Sequence, residues 1–116
     1  MLQYTKPLSK IKEKTIKSFV RRTGRITKAQ SAALKTIWPL FGVDFDKKRL
    51  DLASLYKRKA PIILEIGFGN GETLVEEAIE NPKNNYFGIE VHKPGIGHCL
   101  LKIKKSRISN IKLSSH

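Results

Sequence analysis

The segment Leu64–Glu72, which reads LEIGFGNGE, limits most narrowly what this chain can fold into. Its glycines stand at every second position, at Gly67, Gly69 and Gly71, directly after the apolar run PIILEI. Glycine adopts backbone conformations that other residues avoid, and it lets a ligand approach the main chain closely. A glycine-rich turn between a buried strand and a helix therefore predicts a ligand-binding loop in an α/β protein.

Strand and helix patterns alternate after Pro61, so we predict an α/β fold. The expected elements are, in order, the strand PIILEI, the helix GETLVEEAIEN, the strand NYFGIEV, the helix GIGHCLLKIKKS and the strand NIKLSS. The first of these helices should bury the apolar face Leu74, Val75, Ala78 and Ile79. The order β-α-β-α-β is the first half of a doubly wound parallel sheet.

The residues before this alternation divide into two further regions. Residues 1–30 hold nine basic residues and one acid, and we expect a basic, flexible extension there. Residues 31–60 should form a helix and a connector, with Thr27 capping the helix and Pro39 and Gly42 ending it. Residues 61–116 then form the incomplete ligand-binding domain.

The charge of the chain indicates a polyanionic partner. Lys and Arg together number 23 against 10 for Asp and Glu, giving a net charge of +13. An imbalance of this size favours nucleic acid over a membrane surface, because no basic segment here also carries an apolar interfacial face. Within the extension, the residues best suited to phosphate contact are Arg21, Arg22, Arg25 and Lys28.

Cys99, the single cysteine, excludes an internal disulfide framework and a cysteine-rich zinc site. We expect it to be a buried, inert thiol in a reducing compartment. No apolar run approaches the roughly 18 residues of a membrane span, and lysines interrupt the N-terminus where a signal peptide would be apolar. We therefore expect a cytoplasmic protein without a metal site or a membrane partner.

The spacing of the glycine loop distinguishes between cofactors. The nicotinamide fingerprint G-x-G-x-x-G would need a glycine where this chain has Glu72, which disfavours a nicotinamide-dependent oxidoreductase. The spacing E-x-G-x-G-x-G is instead typical of loops that bind S-adenosylmethionine. Glu65 could accept a hydrogen bond from the amino group of that ligand, and Glu90, at the end of the second strand, from its ribose hydroxyls. Either carboxylate could otherwise simply cap a helix or face water.

Four collinear segments give the chain a family resemblance. SFVRRTGRITKAQ, WPLFGVDF, APIILEIGFGNGETL and YFGIEVHKPGIGHCL resemble, in this order and spacing, the bacterial tRNA (guanine-N7-)-methyltransferases. The resemblance implies a Rossmann-like class I methyltransferase fold, S-adenosylmethionine as methyl donor and tRNA as partner. It assigns tRNA contact to the basic extension, and donor binding to Glu65, Gly67, Gly69, Gly71 and Glu90.

The resemblance ends at His116, before the acids that the family carries after its third and fourth strands. No catalytic residue is therefore assigned, and we expect an enzyme truncated after the third strand that is inactive on its own. The edge of its first strand, which the fourth strand should cover, would then be unpaired. A non-catalytic RNA-binding protein on a remnant methyltransferase scaffold is the alternative. The sequence leaves both a monomer and a homodimer open.

Overall fold

The computed structural model describes residues 2–4, 25–44 and 51–116. A sheet of parallel strands forms the centre, and its strands follow one another in chain order: β1 (Leu2–Tyr4), β2 (Ile62–Ile66), β3 (Asn85–Glu90) and β4 (Ile111–Ser115). The helices are α1 (Lys28–Thr36), α2 (Trp38–Phe41), α3 (Glu72–Glu80) and α4 (Lys93–Ser106), with a 3₁₀ turn at Leu52–Leu55. The β-α-β-α-β order expected after Pro61 is confirmed.

The prediction that one edge of β2 is unpaired is wrong. β1 pairs with it in parallel register, with Leu2 opposite Ile62 and Tyr4 opposite Leu64. A strand edge carries unpaired N–H and C=O groups, and a short neighbouring strand satisfies them. This strand lies inside the segment expected to be a flexible extension, of which residues 5–24 lie outside the described part of the chain.

Helix α1 begins as its sequence predicts. The Thr27 hydroxyl accepts from the Gln30 amide at 3.1 Å, and the Gln30 side chain accepts from the Thr27 amide at 3.0 Å. This capping box satisfies two amides that have no partner within the helix. The predicted end is wrong by a few residues: α1 closes at Ile37, and Pro39 lies in the first turn of α2, where its missing N–H costs nothing.

Helices α1, α3 and α4 pack on one face of the sheet and form the larger core. The buried side chains of this core include Ile37, Ile63, Phe68, Leu74, Val75, Ala78, Tyr86, Leu100, Ile103, Ile111 and Leu113. The expected inward face of α3 is confirmed except for Ile79, which is 45% exposed. A nine-residue helix lying on a flat sheet buries only a narrow stripe, and Ile79 falls just outside it.

The connector before β2 covers the other face of the sheet. Tyr56 is buried against Ile62 and Phe87, and its hydroxyl donates to the carbonyl oxygen of Tyr86. Arg58 donates from Nε to Oδ1 of Asn85 at 3.0 Å. These contacts fix the amino-terminal end of β3, so that its carboxyl end is held in register with β2.

The register places the carboxyl ends of β2, β3 and β4 along one edge of the sheet. Ile66 lies opposite Ile89, and Glu90 lies opposite Ser115. In open parallel sheets, ligands bind outside this edge, so the loops that follow β2 and β3 are the candidate site. Within the described part of the chain, no helix has the length and hydropathy needed to cross a bilayer.

Candidate functional site

The loop between β2 and α3 is held in left-handed backbone conformations. The φ angles of Gly67, Gly69 and Gly71 are 74°, 66° and 78°. Residues with a side chain are strained at positive φ angles, so each of the three positions favours glycine. Gly71 is also the N-cap of α3, which puts the first amides of that helix at the end of the loop.

Helix α4 packs against the back of the loop without space for side chains. A Cβ atom on Gly71 would lie 2.3 Å from Sγ of Cys99, and one on Gly95 would lie 2.3 Å from the carbonyl oxygen of Gly69. Cys99 is buried, as expected, and its side chain packs against Gly71. The start of α4 therefore fixes the position of the loop from behind.

Glu90 joins the two loops of this edge. Its Oε1 accepts from the Gly69 amide at 2.7 Å, and its Oε2 accepts from the amides of Val91 at 2.8 Å and His92 at 3.1 Å. The Gly67 amide donates to the carbonyl oxygen of Ile89 at 2.7 Å. A buried carboxylate is stable only when hydrogen bonds satisfy it, so Glu90 and the loop hold each other in place.

The two carboxylates predicted to bind a ligand are placed differently. Glu90 is 6% exposed and has three of its roughly four acceptor positions occupied by amides. Glu65 lies on the helix-covered face of β2 and is only 1% exposed. Both carboxylates are therefore buried, and Glu90 lies at the end of its strand, at the edge where the two loops begin.

One carboxylate and two basic side chains on α3 and α4 form a cluster beside the loop that sequence reasoning missed. Glu72 Oε1 lies 2.8 Å from His98 Nε2, and Glu72 Oε2 accepts from the Lys102 ammonium group. The hydrogen bond from Lys102, and then that from His98, lowers the pKa of Glu72, while the same bond to Glu72 raises the pKa of Lys102. The i, i+4 spacing of His98 and Lys102 indicates that both side chains lie on one face of the helix. It does not indicate that Glu72 is their partner.

The predicted phosphate contacts are described only in part. Arg25 and Lys28 are exposed at the start of α1, and Arg21 and Arg22 lie outside the described residues. Among the described residues, no group of three or more His, Cys, Asp or Glu side chains could hold a metal ion.

A cleft of about 770 Å³ lies at the opposite edge of the sheet, beside Tyr56, Arg58 and Asn110. Its lining includes the C-terminal end of α3 and Arg107, the C-cap of α4. Helix C-termini carry partial negative charge, so the basic residues there offset the helix dipoles. The loop edge, where α3 and α4 begin, suits an anionic or nucleoside-type ligand better.

The parallel sheet, the left-handed glycine loop and the acid ending the next strand define an α/β protein with a candidate ligand site at the carboxyl edge of its sheet. Comparison with known protein families identifies the family to which the chain belongs. A family profile described as "Putative methyltransferase" matches residues 59–116, and the chain belongs to this methyltransferase family. The resemblance and the Rossmann-like fold class inferred from the sequence are thereby confirmed.

Among curated proteins, the chain is similar to bacterial enzymes named tRNA (guanine-N(7)-)-methyltransferase. The relative from Aeromonas hydrophila subsp. hydrophila is 50% identical over 101 residues, which are 87% of this chain and 43% of that protein. The relatives from Sodalis glossinidius and Yersinia pestis are also 50% identical over 101 residues, with 42% of each covered. The chain therefore spans about two fifths of the length of the curated relatives that it matches.

Proposed function

We propose that this chain is the donor-binding part of a tRNA (guanine-N7-)-methyltransferase that uses S-adenosylmethionine. The observation that carries the proposal is the contact between Gly69 and Glu90, because it joins a glycine loop of donor-binding spacing to the strand-end acid that is proposed to hold the ribose. The 50% identity to relatives named for this reaction supports the choice of substrate.

Five residues are proposed to hold the donor, and the residues present fit such a group. The left-handed loop of Gly67, Gly69 and Gly71 would present main chain rather than side chains to the ligand, and the amino-terminal amides of α3 could donate to its carboxylate. Glu90 is proposed to accept from a ribose hydroxyl with its remaining acceptor position. Glu65 is proposed to accept from the amino group.

The catalytic contribution proposed for the protein is to align the methyl group of the donor with guanine N7. When bound, S-adenosylmethionine supplies an electrophilic methyl group on a sulfonium centre. Guanine N7 presents a lone pair and carries no proton, so no general base is required from this chain. A rigid loop clamped between Glu90 and α4 would contribute by holding the donor in one orientation, which can supply a large part of a rate acceleration.

The RNA-binding role is proposed for the basic residues that precede and begin α1. Arg25 and Lys28 are exposed there, and with Arg21 and Arg22 they would contact tRNA phosphates. A cytoplasmic location is proposed with this substrate.

Isothermal titration with S-adenosylmethionine tests the donor assignment, with nicotinamide adenine dinucleotide as the comparison ligand. We expect heat release with S-adenosylmethionine alone, a weaker affinity for Glu90→Ala, and an unchanged affinity for Glu80→Gln, whose side chain is exposed at the far end of α3. No heat with S-adenosylmethionine, or equal heat with both ligands, contradicts the proposal.

The net charge of +13 supports a second candidate, a protein that binds RNA without catalysis. Such a protein would bind tRNA with an affinity that falls steeply with salt, and Arg25→Gln with Lys28→Gln would reduce that slope. Both functions predict this result, so the donor titration separates them. RNA binding without donor binding selects the second candidate.

A further inference from the structure

The amino-terminal edge of the sheet, opposite the glycine loop, carries three loops that are rich in basic residues. They lead into β2, β3 and β4 and read KRKAP at 57–61, NPKN at 81–84 and RISN at 107–110. Together they hold five basic residues and no acid. The cleft of about 770 Å³ lies among these loops, and the charged residues of its lining are all basic: Lys57, Arg58, Arg107 and Lys112. We call it the basic cleft.

The carbonyl groups that could repel an anion from the basic cleft are already paired. The Asn110 side chain is 7% exposed and donates to the carbonyl oxygens of Ala78 and Asn84 at 3.0 Å each. Arg58 Nη2 donates to the carbonyl oxygen of Asn84 at 2.9 Å and also to that of Pro82. A helix C-terminus carries about half a negative charge. The ends of α3 and α4 therefore offset only a small part of the positive charge that lines the cleft.

Two of the basic side chains in the lining can reach an external anion. Lys57 and Arg107 are exposed, and within the described part of the chain neither side chain makes a hydrogen bond or an ion pair. Arg58 is held by its bonds to the backbone, and Lys112 donates to the carbonyl oxygen of Leu40 at 3.2 Å. The two held cations give the cleft a positive potential, and the two exposed ones can contact the anion.

We propose that the basic cleft binds the phosphate backbone of the RNA, as a contact surface separate from the basic residues that precede and begin α1. The proposal rests on the proposed function, because it takes tRNA to be the partner. Basic side chains that contact phosphates position a nucleic acid without reading its sequence. The net charge of +13 and the relatives named for a tRNA reaction favour RNA over an acidic protein segment.

The dimensions of the sheet separate this surface from the proposed donor site. Neighbouring strands lie about 4.8 Å apart, so the three loops extend over roughly 10 Å, which is enough for more than one phosphate of a strand. Strands β2 and β4 have five residues each. At about 3.3 Å per residue, the basic cleft lies some 17 Å from the opposite edge. The phosphates bound in the cleft therefore belong to a different part of the RNA from the guanine that receives the methyl group.

Chemical protection of lysines tests where the RNA lies. The 116-residue chain is acetylated with sulfosuccinimidyl acetate, with and without unmodified tRNA, and peptide mass spectrometry measures the modification of each lysine. We expect tRNA to protect Lys57. Lys105 is exposed on α4 outside the cleft, and its modification should stay unchanged.

The salt dependence of tRNA binding tests the phosphate contacts. In Lys57→Gln with Arg107→Gln, we expect the slope of log Kd against log salt to fall by about 1.4 to 1.8, the value for two lost phosphate contacts. Fluorescence anisotropy of labelled tRNA measures the slope. Both side chains are exposed, so the variant should keep the fold, which circular dichroism checks.

The matched control is Lys104→Gln with Lys105→Gln. It removes the same charge from exposed positions of α4 that do not line the basic cleft, and its slope should equal that of the wild type. Arg58 is left in place in every variant, because its bonds hold the loop between α3 and β3.

Unprotected Lys57, or an unchanged slope in the cleft variant, overturns the proposal. An equal fall in slope in both double variants also overturns it, because only the net charge would then matter. Protection of Lys57 by poly-glutamate but not by tRNA overturns it in favour of an acidic protein segment. The donor titration and the Arg25→Gln with Lys28→Gln variant use other residues, so each of these failures leaves the proposed function standing.

Discussion

The Gly69 amide donates a 2.7 Å hydrogen bond to Oε1 of Glu90, across 21 residues of sequence. This bond connects the loop that follows β2 to the end of β3. Because Glu90 also accepts from the amides of Val91 and His92, one buried carboxylate fixes both loops of the candidate site. The loop geometry and the position of the Glu90 side chain therefore depend on each other.

Glu90→Gln tests this dependence. Glutamine has one acceptor oxygen instead of two, so its amide group would face a backbone N–H that needs an acceptor. We expect a loss of about 1–3 kcal/mol in the free energy of unfolding, the usual cost of a buried donor without its partner. Urea unfolding measures the change, with Glu80→Gln as the exposed control. Equal stability of the two variants would mean that the loop holds its conformation without Glu90.

Gly71→Ala tests why the third glycine is required. The new methyl group would lie 2.3 Å from Sγ of Cys99, and the φ of 78° would strain any side chain. We expect a loss of at least about 2 kcal/mol, measured from the urea midpoint. Adding Cys99→Ala removes the contact with Sγ but leaves the Cβ atom of residue 99 about 2.7 Å from the new methyl group, so it should recover only part of the loss. Full recovery in the double variant would show that the φ angle contributes nothing.

Local patterns predicted the loop and its acid, because the sequence signal for each lies within a few residues. The alternation of glycines, the apolar run before it and the acid that ends the next strand can each be read within a few residues. The contact of Gly95 with Gly69 and the pairing of Glu72 with Lys102 depend on how α4 lies over the loop, which no local pattern states. The strand Leu2–Tyr4 was missed for the same reason, since its partner lies 60 residues away.

Tyr56→Phe tests how the start of β3 is held. The Tyr56 hydroxyl is buried and donates to the Tyr86 carbonyl, and burial raises the pKa of this phenol far above its ordinary value. We expect a loss of about 1–2 kcal/mol at neutral pH, because the hydrogen bond is removed from a buried carbonyl. Unfolding at neutral pH measures this loss.

Tyr56→Phe should also change how the stability of the fold depends on pH in alkaline solution. A phenol with a raised pKa in the folded state stabilises the fold below its unfolded pKa, and this stability is lost as the pH rises towards the folded value. The wild type should therefore lose stability above about pH 10, and Tyr56→Phe should lose less. Parallel alkaline profiles for the two proteins would contradict the buried position of the hydroxyl.

Lys102→Met tests the cluster of Glu72, His98 and Lys102 through the pH dependence of the stability of the fold. The Lys102 ammonium lowers the pKa of Glu72, so Glu72 stabilises the fold above its unfolded pKa, and this stability is lost as the pH falls through the folded value. Glu72 correspondingly raises the pKa of Lys102, whose contribution is present below the ordinary lysine pKa and lost as the pH rises through the folded value. We therefore expect the stability difference between wild type and Lys102→Met to be greatest at neutral pH and to disappear in acid.

The effect should be small, because the Glu72 side chain is 46% exposed and the Lys102 side chain 24%. Exposed ion pairs are weakened by water and by salt, so about 1 M NaCl should remove most of the difference at neutral pH. Lys105→Met is the matched control, since Lys105 is exposed on the same helix and has no ion pair within the described ranges. A difference of equal size for both variants would mean that only the net charge had changed, and that Lys102 does not support Glu72 at the start of α3.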